Sequence, residues 1–145
     1  MAKFKFRFES LLNVREIQKR KIQQEISMID IEIENMKKQH LFVMDEREIV
    51  RRNILINCSK VSDFQNAKQY EKQLGDIIDS IQKKIDKLEE NKIAKNLELI
   101  ERKKEVRTFE ILKEKSQMAF LDEEKKEDMK NMNEIAIRRF AGEQR

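Results

Sequence analysis

Residues 8–33 read FESLLNVREIQKRKIQQEISMIDIEI, and the spacing of the apolar residues in this stretch decides the fold. Apolar side chains recur at alternating steps of four and three residues, from Phe8 to Leu12 and again from Ile22 to Ile33. This spacing lines one face of a helix, and a repeat held for about seven heptads is typical of a left-handed coiled coil. With Leu12 taken as an a position, the a series is Leu12, Lys19, Ile26, Ile33, His40, Arg47, Ile54 and Val61, and the d series is Phe8, Arg15, Ile22, Ile29, Met36, Val43, Val50 and Asn57.

A second helix is expected after the pattern breaks near residue 57. Ser62 and Gln65 have the spacing of a capping box, in which a hydroxyl accepts a hydrogen bond from a free amide at the helix start. The seam of the second helix then opens with Leu74, Ile78, Ile81, Ile85 and Leu88. Two such helices predict an all-α fold, a long antiparallel two-helix coiled-coil hairpin. Gly75 leaves one alternative open, a hairpin turn centred on that residue.

The chain is expected to form a single coiled-coil rod over residues 1–145. Helix one is predicted at about residues 7–57, the turn at about 58–62 and helix two at about 63–140, with Gly142 suited to a C-terminal stop. Because helix two is the longer, its C-terminal part should overhang the start of helix one.

The register of helix two is expected to drift after Leu88. Lys92 and Lys95 occupy the extrapolated core positions, whereas Ile93 and Leu97, like Ile100, lie beside them. The original register returns with Leu99, Val106, Phe109 and Phe120. Such a drift indicates a change in supercoil or in partner surface.

The composition favours long helices over other fold classes. Charged residues make up 41% of the chain, with no proline and two glycines, so the turns of a sandwich or an α/β sheet cannot be supplied. Mean hydropathy is −0.81, yet 39% of residues are hydrophobic and the net charge is only +4. An ordered coiled coil is therefore favoured over intrinsic disorder.

No motif for catalysis or for a cofactor is found, so we expect a protein that is not an enzyme and that holds no cofactor or metal. Two glycines exclude the nucleotide-binding loops, and one cysteine (Cys58) with one histidine (His40) cannot form a zinc site without several carboxylates. His40 is expected to be a polar residue of the seam. Basic residues alternate with acidic ones along both helices, so no nucleic-acid partner is expected.

The location expected from the sequence is cytoplasmic, with no insertion into a membrane. The basic start of the chain lacks the apolar region of a signal peptide. The longest apolar runs, such as Leu41 to Met44, are far shorter than the roughly 20 residues of a membrane helix.

The overhang carries apolar residues that a second helix cannot cover, and these call for a protein partner. They are Phe120, Leu121, Ile135, Ile137 and Phe140. Met118, Met129 and Met132 lie on the same overhang and are expected to fill a helix face, with a docking patch as the alternative.

Both ends of the sequence resemble the flagellar export protein FliJ family. Residues 4–16, FKFRFESLLNVRE, are similar to that family's aromatic–basic lead, Leu-Leu and Arg-Glu, and residues 133–140, NEIAIRRF, to its closing segment. Tyr70 and Leu74 resemble the start of its second helix. Phe8, where leucine is common, and Asn133, in place of aspartate, depart from the pattern.

The resemblance implies a component of the flagellar type III export apparatus, shaped like the central stalk of a rotary ATPase. Its expected partners are a hexameric export ATPase, whose ring pore receives the end that holds both termini, a membrane export gate protein, and export chaperones. The expected location is peripheral, at the export apparatus on the inner membrane. Two alternatives remain open: the stalk of a virulence-type secretion system, and a structural coiled coil that self-associates without an ATPase.

Two groups of residues are the candidate contact sites under this resemblance. The ATPase-docking group at the open end comprises Lys3, Lys5, Arg7, Phe8, Phe120, Ile137, Arg138, Arg139 and Phe140. The export-gate group near the turn comprises Tyr70, Leu74, Ile77 and Ile81. The basic residues can equally be ordinary solvated flanks that complement helix dipoles.

Overall fold

The computed structural model describes residues 3–57 and 60–143, and it consists of two long helices packed against each other. Helix α1 is Glu9–Asn57 and helix α2 is Val61–Glu143. No residue within the described ranges lies in a strand. The prediction of an all-α helical hairpin is confirmed. Residues 58 and 59 of the predicted turn, including Cys58, lie outside the described residues.

The start of α2 differs from the predicted capping box. The Phe64 amide donates to the Lys60 carbonyl at 3.1 Å, so Lys60 accepts the first hydrogen bond of the helix and holds the N-cap position. A capping serine must lie outside the helix, whereas α2 already includes Ser62, so the predicted box is wrong. Asp63 places a negative charge in the first turn, where the free amides favour it.

Helix α2 runs unbroken through both of its glycines. None of the described glycines has a positive φ, and a Cβ built on Gly75 would meet only the Arg47 guanidinium, 4.0 Å away. The alternative turn at Gly75 is therefore absent. The predicted stop at Gly142 is wrong as well, because α2 continues to Glu143.

The described chain divides into two compact units. One unit is Arg20–Ile100 and the other joins Met1–Lys19 to Glu101–Arg145. Within the unit Arg20–Ile100 the two helices run antiparallel, since Glu25 pairs with Lys95 at 2.8 Å while Arg51, further along α1, pairs with Glu71 at 2.6 Å.

The heptad prediction for α1 is confirmed along almost its whole length. Every predicted a or d position from Leu12 to Ile54 is buried or half-buried, including His40, whereas Phe8 and Asn57 at the ends of the series are exposed. The buried residues of the unit Arg20–Ile100 are Ile22, Ile33, Ile54, Leu74, Ile78, Ile81 and Ile85. In the other unit the buried residues are Leu12 and Val106.

The predicted register drift of α2 is wrong. Lys92 and Lys95 keep the seam positions and are half-buried, and each reaches an acidic side chain of α1, with Lys92 Nζ lying 2.6 Å from the Asp30 carboxylate. A lysine can occupy such a position because its long apolar stem packs in the seam while its ammonium group reaches the rim. Ile93 and Leu97 are both 62% exposed and face away from α1.

We expect a substitution in the seam of α2 to reduce the stability of the fold much more than one at an exposed apolar residue. Ile85→Ala, at a residue that is 4% exposed, should lower the free energy of unfolding by about 2–4 kcal/mol, because it leaves a cavity in the seam. Ile93→Ala, at a residue that is 62% exposed, should change it by less than about 0.5 kcal/mol. Urea unfolding followed by far-ultraviolet circular dichroism measures both, and an equal loss in the two variants would contradict the assigned register.

A second prediction concerns pH. The hydrogen bond from Lys95 lowers the pKa of Glu25, and that from Arg51 lowers the pKa of Glu71. A carboxylate whose pKa is lower in the folded state stabilises the fold above the ordinary glutamate value of about 4.3, and this stabilisation disappears as the pH falls through the folded-state value.

The urea concentration at the midpoint of unfolding should therefore decrease as the pH is lowered from about 7 to about 3. This decrease should be smaller in the double variant Glu25→Gln/Glu71→Gln. Glu89→Gln, at an exposed residue of α2, is the matched control and should keep the full decrease. An unchanged pH dependence in the double variant would mean that the two interhelical pairs do not contribute.

Candidate partner-binding surfaces

An aromatic strap, defined as residues 3–8, precedes α1 and packs on α2. The ring centroids of Phe4 and Phe120 lie 5.6 Å apart, and those of Phe8 and Phe109 lie 6.4 Å apart. Aromatic pairs at these separations stabilise beyond their area burial. The strap therefore holds the chain before α1 against the face of α2 that includes Phe109 and Phe120.

The sequence of the strap explains this arrangement. Aromatic and basic residues alternate over residues 3–8, and an extended chain points successive side chains to opposite sides. Phe4 and Phe6 are half-buried, whereas Lys3, Lys5 and Arg7 are exposed. The Arg7 guanidinium lies 5.5 Å from the centre of the Phe8 ring, a cation–π distance. The outer side of the strap is accordingly a basic surface.

Ion pairs also join the two helices behind the strap. Glu9 pairs with Lys113 at 3.0 Å, and Arg15 pairs with Glu105 at 3.3 Å. From Glu9 to Arg15 the chain advances along α1, whereas the paired residue on α2 goes back from Lys113 to Glu105. The two helices are therefore antiparallel in this unit. Lys113 occupies a seam position of α2, as Lys92 and Lys95 do in the other unit.

Beyond Phe120, α2 has no covering partner among the described residues. The seam positions that follow carry Glu123, Glu127, Lys130 and Glu134, which cannot form an apolar interface. From Leu121 to Glu143 every residue except Glu124 is exposed. Because α1 begins at Glu9, which pairs with Lys113, and Phe4 of the strap reaches Phe120, the part of α2 after Phe120 extends past the described start of α1 and the strap.

The structure divides the predicted ATPase-docking group into two clusters. Phe8 and Phe120 lie with the strap and its three basic residues, whereas Ile137, Arg138, Arg139 and Phe140 lie about 25 Å further along α2, at a rise of 1.5 Å per residue. Ile137 is 67% exposed and Phe140 is 63% exposed.

The predicted export-gate group also divides, by burial. Leu74 is 3% exposed and Ile81 is 7% exposed, so both belong to the seam, whereas Tyr70 and Ile77 expose nearly half of their side-chain surface. The surface open to a partner in this group is therefore Tyr70 and Ile77.

Phe42 adds to this surface and was missed from the sequence. It is 65% exposed and lines, with Val43, Ile77 and Ile81, an open groove of about 510 Å³ between the helices. The signal was present in the heptad assignment, which places an aromatic residue of α1 outside both the a and the d series.

Two further observations describe the chain's chemistry. Within residues 3–57 and 60–143, no group of three or more His, Cys, Asp or Glu side chains is arranged to hold a metal ion. Neither described helix contains a stretch apolar and long enough to cross a membrane.

Comparison with known proteins supplies the family. The family model described as Flagellar FliJ protein matches residues 4–145. No curated protein and no solved structure matches the chain. The matched span covers both end motifs, both helices and residues 4–8 of the strap. The chain therefore belongs to the FliJ family of flagellar proteins.

Proposed function

We propose that this flagellar export-related coiled coil is a non-enzymatic stalk or adaptor of the type III export apparatus. It engages the hexameric export ATPase ring through its uncovered end and links the ring to the membrane export gate and to export chaperones. It acts as a single coiled-coil rod in the cytoplasm, peripherally associated with the export apparatus at the inner membrane. The observation that carries this proposal is an end of α2 left uncovered in a chain that matches the FliJ family over residues 4–145.

The uncovered part of α2 supports ring docking on physical grounds. A single helix with exposed apolar side chains is a shape that a groove or a pore can receive. Arg138 and Arg139 lie between the exposed Ile137 and Phe140, so an acidic rim with an apolar lining is the complementary surface. The basic strap offers a second positive surface at the point where helix pairing ends.

Contact with the export gate is assigned to Tyr70, Ile77 and Phe42. A half-exposed tyrosine beside exposed apolar side chains is a composition enriched in protein interfaces. The family description names the flagellar system, which favours a stalk of the flagellar export apparatus over the stalk of a virulence-type secretion system.

The ring-docking proposal predicts the outcome of a pull-down with the cognate export ATPase. The full chain should be retained, and a chain ending at Asp122 should not. In the full chain, Ile137→Asp/Phe140→Ala should reduce retention by roughly tenfold or more, as for central interface residues.

Met28→Asp is the matched control, because Met28 is also an exposed apolar residue, at 66%, but lies on α1. It should bind as the unaltered chain does. Retention of the truncated chain at full level would refute docking through this end, and loss of binding in the Met28 variant would point to a different surface.

The gate proposal predicts a separate loss. Tyr70→Ala/Ile77→Asp should abolish co-purification with the soluble part of the export gate and leave ATPase binding unchanged, because the altered residues lie near the other end of α2. Ile93→Asp, at a more exposed apolar residue of α2, is the control and should keep both partners. Simultaneous loss of both partners, with helicity retained, would contradict separate surfaces.

A further inference from the structure

A second heptad stripe runs along the outer surface of α2, and the hairpin does not use it. Its residues, called the tail stripe here, are Glu114, Met118, Leu121, Lys125, Asp128, Met132, Ile135 and Arg139. Successive members are four and three residues apart in strict alternation, the spacing of a coiled-coil interface. All eight are exposed, and the four apolar members are exposed by 67%, 50%, 71% and 52% in chain order.

The tail stripe is distinct from the seam. The seam of α2 passes through Val106, Phe109 and Phe120, where it meets α1 and the strap. With 3.6 residues per turn, the tail stripe lies about 150° around the helix from that line. The seam becomes charged after Phe120, whereas the tail stripe keeps apolar residues up to Ile135. A helical partner would therefore bind a different face from the one that α1 binds.

The tail stripe of one chain is complementary to the tail stripe of a second copy that runs in the opposite direction. Two antiparallel copies centred between Lys125 and Asp128 bring Leu121 opposite Met132. The same register brings Met118 opposite Ile135. It also places Lys125 opposite Asp128 and Glu114 opposite Arg139. Two-fold symmetry makes each of these pairs occur twice.

We propose that the tail stripe is a self-association surface, through which two copies of this chain form an antiparallel pair of α2 helices. Two apolar layers on each side of the centre supply the burial, and the charged pairs set the direction. A parallel pair would instead place each of the four charged residues opposite its own copy, and like charges in facing positions are destabilising. Glu114 also lies 3.7 Å from Arg107 of its own helix, so the central Lys125–Asp128 layers carry most of the directional preference.

The dimer uses one docking residue of the proposed function, Arg139, and leaves the apolar docking residues Ile137 and Phe140 unpaired. Ile137 and Phe140 lie on other faces of α2, yet a second helix beside them would widen the end that has to enter a ring. The dimer would then be a storage form that must dissociate before docking. This consequence rests on the proposed function, whereas the dimer itself does not.

Sedimentation equilibrium of the full chain tests the proposal without any ATPase. The unaltered chain should form a dimer as its concentration rises. Lys125→Asp should raise the dissociation constant by roughly tenfold or more, because it places Asp opposite Asp128 in both central layers. Lys125→Asp/Asp128→Lys should restore the dimer, because the opposite charges face each other again.

Lys126→Asp is the matched control, since it makes the same change at the next residue, outside the tail stripe, and should leave the dissociation constant unchanged. Circular dichroism of each variant checks that helicity is retained. A chain that stays monomeric, or a charge swap that fails to restore association, would overturn the proposal.

Orientation is tested by a spin label at position 118 in a Cys58→Ser background. Antiparallel pairing should give an axial separation of about 25 Å between the two labels, because position 118 then faces position 135. A separation near 10 Å, the diameter of one helix, would indicate parallel pairing and overturn the proposal.

Discussion

The structure depends on one narrow apolar seam, in which each helix contributes a single row of side chains at alternating steps of three and four. Burial of this row is the main force that pairs α1 with α2, since interhelical ion pairs at partly exposed positions contribute little each. A seam of this kind has no third element to fix it, and a shift by one heptad would preserve most apolar contacts. The pairs of Glu25 with Lys95 and of Glu9 with Lys113 oppose such a shift, because a slipped register would separate the charges.

Charged residues occupy seam positions of α2 in two settings, opposite an acidic side chain of α1 and beyond the described start of α1. Lys92 and Lys95 fit seam positions because their ammonium groups pair with the carboxylates of Asp30 and Glu25 on α1. Glu123 and Glu127 have no described part of α1 opposite them, and pairing ends. The same heptad positions thus carry charges both within the helix pair and in the single-helix part of α2.

Much of the fold could be predicted from the sequence, because a heptad repeat is a local pattern with a direct geometric meaning. The register of α1 from Leu12 to Ile54 follows from spacing alone. The predicted drift of α2 was wrong because Lys92 and Lys95 can keep seam positions when carboxylates of α1 face their ammonium groups. The start of α2 was predicted about two residues late because Lys60, a residue type that does not signal a helix start, holds the N-cap position.

The candidate surfaces were less predictable. Seam membership of Leu74 and Ile81 follows from the heptad, which leaves Tyr70 and Ile77 as the accessible residues. The contact of Phe4 with Phe120 joins residues that are distant in the chain, and no periodicity links a non-helical segment to a position on α2. The split of the docking group into two clusters follows from that contact and from the length of a helix.

The end of the seam at Phe120 also has a mechanical consequence. Two packed helices resist bending and twisting more than one helix does, because resistance to deformation rises steeply with cross-section. A force applied to the far end of α2 will therefore deform the single-helix stretch more than the paired helices. The strap packs across Phe109 and Phe120 and stiffens the junction between the single helix and the helix pair. Within this unit, a compliant single helix thus adjoins a stiffer pair of helices.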